Sequence, residues 1–321
     1  MNHLSDNTLK LLDLPREARA LACTREIFLM HPTAMAAELS AKRLVELPRF
    51  TSNPGMTLKA HPGLGKSLLG QRWQTQSSMP KTDWAGKVIY INLTENIANL
   101  NIMKLFLAEV GKKFHKRPLT LSYRDVVLAQ NLIRENNIRA VFIDEVSLLH
   151  QSLTEKRLNR EHGAIKGLAG PDWKMNVILS GTPDGLNDVF MEDATLLTRF
   201  NLRTAELSGW KPNYEGESFV KGYLCYMPLL QQSVINDEFL KALHDATLTT
   251  ITVKHVQEQY FSRRAVADVL REACRMAVES GQEYINAESI RNARNSMQGI
   301  NAALARLETR KMPPPEAGVS G

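Results

Sequence analysis

Apolar positions fall into two regimes along the chain. Between residues 51 and 207, short runs at 56–60, 87–93 (KVIYINL), 139–143 (RAVFI) and 176–180 (NVILS) barely alternate and are separated by stretches of helical periodicity. Runs of this kind form parallel strands buried on both faces, so the segment predicts an α/β core. Ahead of it, Ala20, Cys23, Ile27 and Met30 mark one helix face, and Pro32 opens a second helix over 33–47. Residues 1–50 therefore predict an N-terminal helical segment, ended by Pro48, Pro54 and Gly55. After 207 strand signals nearly vanish, apart from an ambiguous 247–253. Spacing such as Val266, Leu270, Ala273 and Ala277 predicts a helical domain over 208–310. The last residues, 311–321 (KMPPPEAGVSG), carry three prolines and no apolar face, which predicts a disordered tail.

Composition narrows the class. With 321 residues, 43% hydrophobic and 23% charged, the chain is long enough for about two domains and is neither collagen-like nor broadly disordered. A net charge of +6 leans toward a polyanionic partner. Cys23, Cys225 and Cys274 lie far apart without a CxxC pair, which argues against a disulfide framework and a structural zinc site. No apolar run approaches the ~18–20 residues that span a bilayer. The first twenty residues mix acids into the sequence and lack a signal-peptide core, so the expectation is a cytoplasmic protein with no membrane partner.

The chemistry begins where the first predicted strand ends. Ala60-His61-Pro62-Gly63-Leu64-Gly65-Lys66-Ser67 joins that strand to a helix starting near Leu68. It matches the phosphate-loop pattern GxxxxGK[ST] at Gly65, Lys66 and Ser67, with Ala60 in place of the first glycine. Gly63 and Gly65 let backbone N–H groups turn around a pyrophosphate, Lys66 reaches the terminal phosphates and the Ser67 hydroxyl is a Mg2+ ligand. The positive end of the helix adds to the same potential. The nucleotide, ATP, is thus expected against residues His61, Pro62, Gly63, Leu64, Gly65, Lys66, Ser67 and Leu68. A dinucleotide GxGxxG is excluded, because the sixth position counted from Gly63 is Leu68.

A second element supports the first. Val141-Phe142-Ile143-Asp144-Glu145 is an apolar strand ending in two acids, with Asp144 assigned to the Mg2+ shell and Glu145 to polarising the attacking water. The next strand ends in Ser180-Gly181-Thr182-Pro183, which puts Thr182 at the same sheet edge to sense the γ-phosphate or hold that water. Seventeen residues on, Arg199 is a candidate arginine finger toward a neighbouring subunit, with Arg203 as its rival.

Together these residues resemble an AAA+ ATPase, and within that group the TniB/TnsC family of transposition regulators. The most specific stretch is Gly181-Thr182-Pro183-Asp184-Gly185-Leu186-Asn187, followed by Arg199-Phe200 and Glu206-Leu207-Ser208-Gly209-Trp210. Residues 265–281 are similar to the family's lid helices, and the likeness spans roughly 15 to 295. It implies a three-layer AAA+ phosphate-loop core with a parallel sheet over 51–207 and a helical lid over 208–310. It further implies ATP-dependent assembly of a homo-oligomer, as a ring or helical filament, on double-stranded DNA. The assembly would link a target-selection protein to a transposase, with hydrolysis dismantling it. Arg263 and Arg264 occupy a lid turn where the family more often has glycines, and Arg264 is expected toward the γ-phosphate. The family places DNA contacts in the loop at 116–122, which implicates Lys116, Arg117 and Thr120, with Lys104 nearby. Such phosphate contacts carry affinity without reading sequence. Two alternatives share the fold: a helicase loader or initiator-like ATPase, and a low-turnover adaptor that uses ATP as a structural ligand, which the Ala60 departure keeps open.

Overall fold

The computed structural model describes residues 3–200, 203–253 and 256–311, so the tail expected at 311–321 lies outside it but for Lys311. The chain divides into two compact units, Met30–Gly209 and a second made of Met1–Leu29 with Trp210–Gly321. The segment expected as one N-terminal piece over 1–50 is therefore shared between them. The helix face expected through Ala20, Cys23, Ile27 and Met30 is also corrected. The helix Arg16–Ala22 stops at its cap Cys23, and the next helix starts at Pro32. Pro32 disfavours helical backbone at the residue before it. His31 is accordingly extended (φ −117°, ψ 163°) and caps the helix Pro32–Glu46.

Met30–Gly209 is built on β1 (Met56–Lys59), β2 (Lys87–Asn92), β3 (Ile138–Asp144), β4 (Asn176–Gly181) and β5 (Thr204–Glu206), all parallel in the order β2-β3-β4-β1-β5. Alternate residues of the central strands serve opposite faces, the two-residue period of a strand. Ile89, Ile91, Val141, Ile143, Val177 and Leu179 join the apolar core formed with the helices Ile102–Phe114, Tyr123–Glu135, Glu155–Leu168 and Pro183–Glu192. Tyr90 and Phe142 face the other way, toward the helix Lys66–Ser77, where Trp73 meets the Phe142 ring edge-on at 5.6 Å. Each fully buried Ile or Leu contributes about 1.5–3 kcal/mol. Strands covered on both faces are thus held by two independent layers. Gly70 allows the close approach of that helix, since a Cβ there would stand 2.7 Å from the Tyr90 ring and 2.8 Å from the Phe142 ring.

Strand β5 carries no apolar run and was not expected. Backbone pairing of Thr57 with Thr204 holds it at the sheet edge, together with a 3.0 Å hydrogen bond between the two threonine hydroxyls.

The second unit packs Arg16–Ala22, Tyr214–Leu224, Asp237–Thr247 and Arg263–Ser280 around Trp210, Tyr223, Phe239, Leu243, Leu270 and Cys274. It is not purely helical, as expected over 208–310. The ambiguous 247–253 is β6 (Leu248–Val253), paired antiparallel with β7 (Val256–Phe261). Arg19 grips Glu283 through two hydrogen bonds of 2.8 and 2.6 Å, both side chains being buried. This ion pair ties the N-terminal helix to the turn after Arg263–Ser280. Among the described residues no helix is long and apolar enough to cross a membrane.

Candidate functional site

Just past the end of β1, the Ala60 N–H donates to the Gly181 carbonyl at 3.1 Å, so the backbone pairing with β4 continues one residue beyond the strand. Its φ is negative. A Cβ is therefore tolerated where the phosphate-loop pattern usually has glycine. The backbone that does require glycine comes later, at Gly63 (φ 75°) and Gly65 (φ 95°), the latter capping the helix Lys66–Ser77. Leu64 is buried and pins the loop, whereas His61 and Gly63 are half-buried and Pro62 is exposed. Ser67 and Leu68 lie half-buried in the first turn.

Lys66 is only 4% exposed. Its Nζ donates to the carbonyls of Ala60 at 3.0 Å and His61 at 3.4 Å, and stands 3.8 Å from the Glu145 carboxylate. Two strands away, Asp144 is fully buried at the end of β3. Its Oδ1 accepts from the Ser180 hydroxyl at 2.9 Å and from the Glu145 N–H at 3.0 Å, and its Oδ2 accepts from the Tyr90 hydroxyl at 2.9 Å. Glu145 then takes a left-handed backbone (φ 57°), a conformation that stores about 1–3 kcal/mol outside glycine. The Val146 N–H, donating to the Ser180 carbonyl at 2.9 Å, holds that turn. Burial raises the Glu145 pKa above the ordinary carboxylate value; Lys66 opposes the shift and Asp144 adds to it.

Thr182 caps the helix Pro183–Glu192 by accepting from the Gly185 N–H at 3.2 Å. A capping hydroxyl keeps its own hydrogen, so Thr182 is still able to donate toward an anion at this sheet edge. The structure thus brings together the loop, Asp144 and Glu145, while Ser180, rather than Thr182, bonds to Asp144. Ser180 and Tyr90 are the residues that sequence reasoning did not assign. Tyr90 lies inside an apolar run, and only its register opposite Phe142 shows that it reaches Asp144.

Arg199 is half-buried on the helix Ala194–Phe200, whose Phe200 ring packs against Gly55 at the base of β1. Its rival Arg203 is exposed. In the helical unit the two lid arginines separate. Arg263 is buried, paired with Glu215 at 3.0 Å and lying over the Phe219 ring, whereas Arg264 is exposed in the first turn of Arg263–Ser280.

The four residues expected to meet DNA stand in different settings. Lys104 is exposed near the start of the helix Ile102–Phe114, about 15 Å along the axis from its last residue at 1.5 Å per residue, and Lys116 follows beyond that end. Lys116 is exposed with φ 63°. Arg117 and Thr120 are engaged within the loop. Arg117 donates to both oxygens of Asp125 at 2.8 and 3.3 Å, and Thr120 donates to it through N–H at 2.9 Å and hydroxyl at 2.8 Å. Asp125 is held well below the usual carboxylate range, chiefly by Arg117 and then by Thr120.

The model of the family described as bacterial TniB protein matches residues 19–212, more than half of the chain. The chain belongs to the TniB family. Comparison with curated protein sequences gives no match. Among solved structures, the ORC2 protein of Aeropyrum pernix in its ADPNP and ADP complexes is similar with a TM-score of 0.59 at 14% identity, over 85% of this chain and 71% of that one. Drosophila ORC bound to DNA gives 0.53 at 13% identity, over 91% and 67%. The Walker-type ATPase paby2304 of Pyrococcus abyssi gives 0.53 at 16%, over 94% and 80%. These likenesses establish the fold, the three-layer α/β architecture of phosphate-loop AAA+ ATPases, around the loop and acidic strand of this TniB chain.

Proposed function

We propose that this TniB chain is an ATPase of DNA transposition. It binds ATP with Mg2+ at the phosphate loop and assembles with further copies on duplex DNA. The assembly links a target-selection protein to a transposase and comes apart on hydrolysis. The observation that carries the nucleotide part is Lys66: a buried ammonium at a helix N-terminus, whose partners among the described residues are loop carbonyls and a carboxylate 3.8 Å away. Such a charge is placed to turn onto phosphate oxygens.

The donors present also fit Mg2+, which takes hard oxygen ligands and commonly keeps one or two protein groups beside phosphates and water. Ser67 and Asp144 would hold it, and among the described residues no cluster of His, Cys, Asp or Glu offers a competing all-protein cage. When bound, the ion neutralises charge on the phosphates. Lys66 and the N–H groups around Gly63 and Gly65 orient the β- and γ-phosphates. Glu145 takes the proton of the water whose oxygen attacks the γ-phosphorus, as the bond to the ADP oxygen breaks. Arg199, from a neighbouring copy, and Arg264 are assigned to the γ-phosphate, and Thr182 to the attacking water. Lys104, Lys116, Arg117 and Thr120 are assigned to the duplex backbone.

The task in transposition rests on membership of the TniB family. The likeness to ORC proteins, at 13 and 14% identity, supports the fold and not an initiator role. The deciding experiment is Lys66→Ala, with ATP binding and ATP-dependent DNA binding both measured. Loss of both is expected; unchanged nucleotide affinity would refute the phosphate-loop assignment. Turnover measured with and without duplex DNA separates this ATPase from a low-turnover adaptor.

A further inference from the structure

Asp144 has unequal oxygens. Oδ1 already accepts two hydrogens, from Ser180 and the Glu145 N–H, whereas Oδ2 accepts one, from Tyr90. A carboxylate oxygen has room for about two such partners, so the spare capacity of this buried group lies on Oδ2, the atom Tyr90 holds. The tyrosine is itself fixed. Its backbone N–H donates to Gln74 on the helix Lys66–Ser77 at 2.7 Å, its ring packs at 5.7 Å from the Phe142 ring, and Gly70 opens the space for it. It is 7% exposed.

The Tyr90 hydroxyl spends its single hydrogen on Asp144 Oδ2, which leaves that oxygen one further lone pair.

We infer that Tyr90 is a positioning residue for the divalent cation, its hydroxyl holding Asp144 Oδ2 so that the remaining lone pair of that oxygen is presented to the ion. This rests on the nucleotide reading above. Groups that orient metal ligands are commonly worth 10–100-fold in metal affinity. The conservative change Tyr90→Phe keeps the ring between Gly70 and Phe142 and removes only the hydrogen bond to Asp144.

The test uses the full chain saturated with ADP and titrated with Mn2+, a spectroscopic probe for Mg2+, with free ion read by electron paramagnetic resonance. In Tyr90→Phe the Mn2+ dissociation constant should rise about 10–100-fold, while ADP affinity in EDTA falls by no more than about twofold. In an Asp144→Ala background the same change should have much less effect on Mn2+, because linked residues are non-additive. A loss arising from packing alone would instead multiply with that of Asp144→Ala and would overturn the assignment. Mn2+ affinity within about threefold of wild type, with ADP bound normally, overturns it as well. A wild-type chain that binds no ADP overturns the nucleotide reading and the Tyr90 assignment together, so the two failures are distinct.

Discussion

Replacing Glu145 by Gln keeps the shape of the side chain and removes its charge, and two opposite effects follow. The carboxylate lies 3.8 Å from the Lys66 ammonium. Two unit charges at that separation attract by about 4 kcal/mol at an effective dielectric near 20. Glu145 is 31% exposed, however, and solvent reduces the net worth of such a pair to about 1 kcal/mol. Glu145→Gln therefore releases Lys66 toward phosphate and should tighten ATP binding by up to about fivefold. Hydrolysis should fall by about 10²-fold or more, the usual loss of a general base, equivalent to about 2.7 kcal/mol or more in the barrier. The assays are titration with a fluorescent ATP analogue and phosphate release at saturating ATP.

The pH dependence has a defined sign. Because burial raises the Glu145 pKa, wild-type turnover should decline as pH falls through that raised value, and the Gln variant should lack this limb. Turnover within twofold of wild type would show that Glu145 does not take the proton. A tenfold loss of ATP affinity would show that its charge does not restrain Lys66.

Arg199→Ala should leave ATP binding by monomers intact while weakening assembly and hydrolysis, and mixing it with Lys66→Ala should restore some activity at hybrid interfaces; no recovery at any ratio would favour Arg203 or a role within one subunit. Replacing Lys116 and Arg117 by Ala should flatten the slope of log K against log salt for duplex DNA by about 0.9 per lost phosphate contact, alike for all sequences, and an unchanged slope would move the assignment to the other basic stretch, the exposed Lys156, Arg157 and Arg160 on the helix Glu155–Leu168. Arg19→Ala leaves Glu283 buried without its partner and should destabilise the helical unit by about 3–5 kcal/mol, read as faster hydrogen exchange in Arg263–Ser280 with β3 amides unchanged. Arg19 lowers the Glu283 pKa, so that pair contributes fully above the ordinary carboxylate value and is lost as pH falls through the depressed one; a helical unit whose exchange is flat between pH 6 and about pH 3 would contradict it.

What was legible in the sequence was what neighbours in sequence supply. The phosphate loop is contiguous, and its strand and helix flank it, so Lys66 and Ser67 could be placed from residue order. The four main strands announced themselves because each is covered on both faces and is accordingly apolar throughout. Strand β5 did not, since an edge strand of Thr204, Ala205 and Glu206 is held by backbone pairing and has no hydrophobic pattern to read. In the helical unit β7 carries Gln257, Glu258 and Gln259 in succession, which hides a strand that pairs residue by residue with β6. Partners distant in sequence were equally hidden. Nothing in the order of residues pairs Arg263 with Glu215, or shows that Arg117 and Thr120 converge on Asp125 to close their loop.

Asp144 and Glu145 show how adjacent carboxylates acquire different chemistry. Asp144 is the last residue of a strand between two others, so hydroxyls from β2 and β4 reach both its oxygens and it is fully buried yet satisfied. A further extended residue would point to the opposite face of the sheet, away from the loop. The left-handed turn at Glu145 prevents this, and brings its carboxylate to within 3.8 Å of Lys66. The strained backbone is held by the Val146 N–H on the Ser180 carbonyl and by Asp144 on the Glu145 N–H, and Ser180 also orders Asp144 through its hydroxyl. The orientations of Asp144 and Glu145 are therefore coupled through Ser180. Ser180→Ala removes one hydroxyl from Asp144 but keeps the carbonyl that holds Val146. It should accordingly disturb cation binding more than the position of Glu145, and nucleotide-loaded protein titrated with Mn2+ would show the difference against Glu145→Gln, which changes the base and leaves every Asp144 hydrogen bond in place.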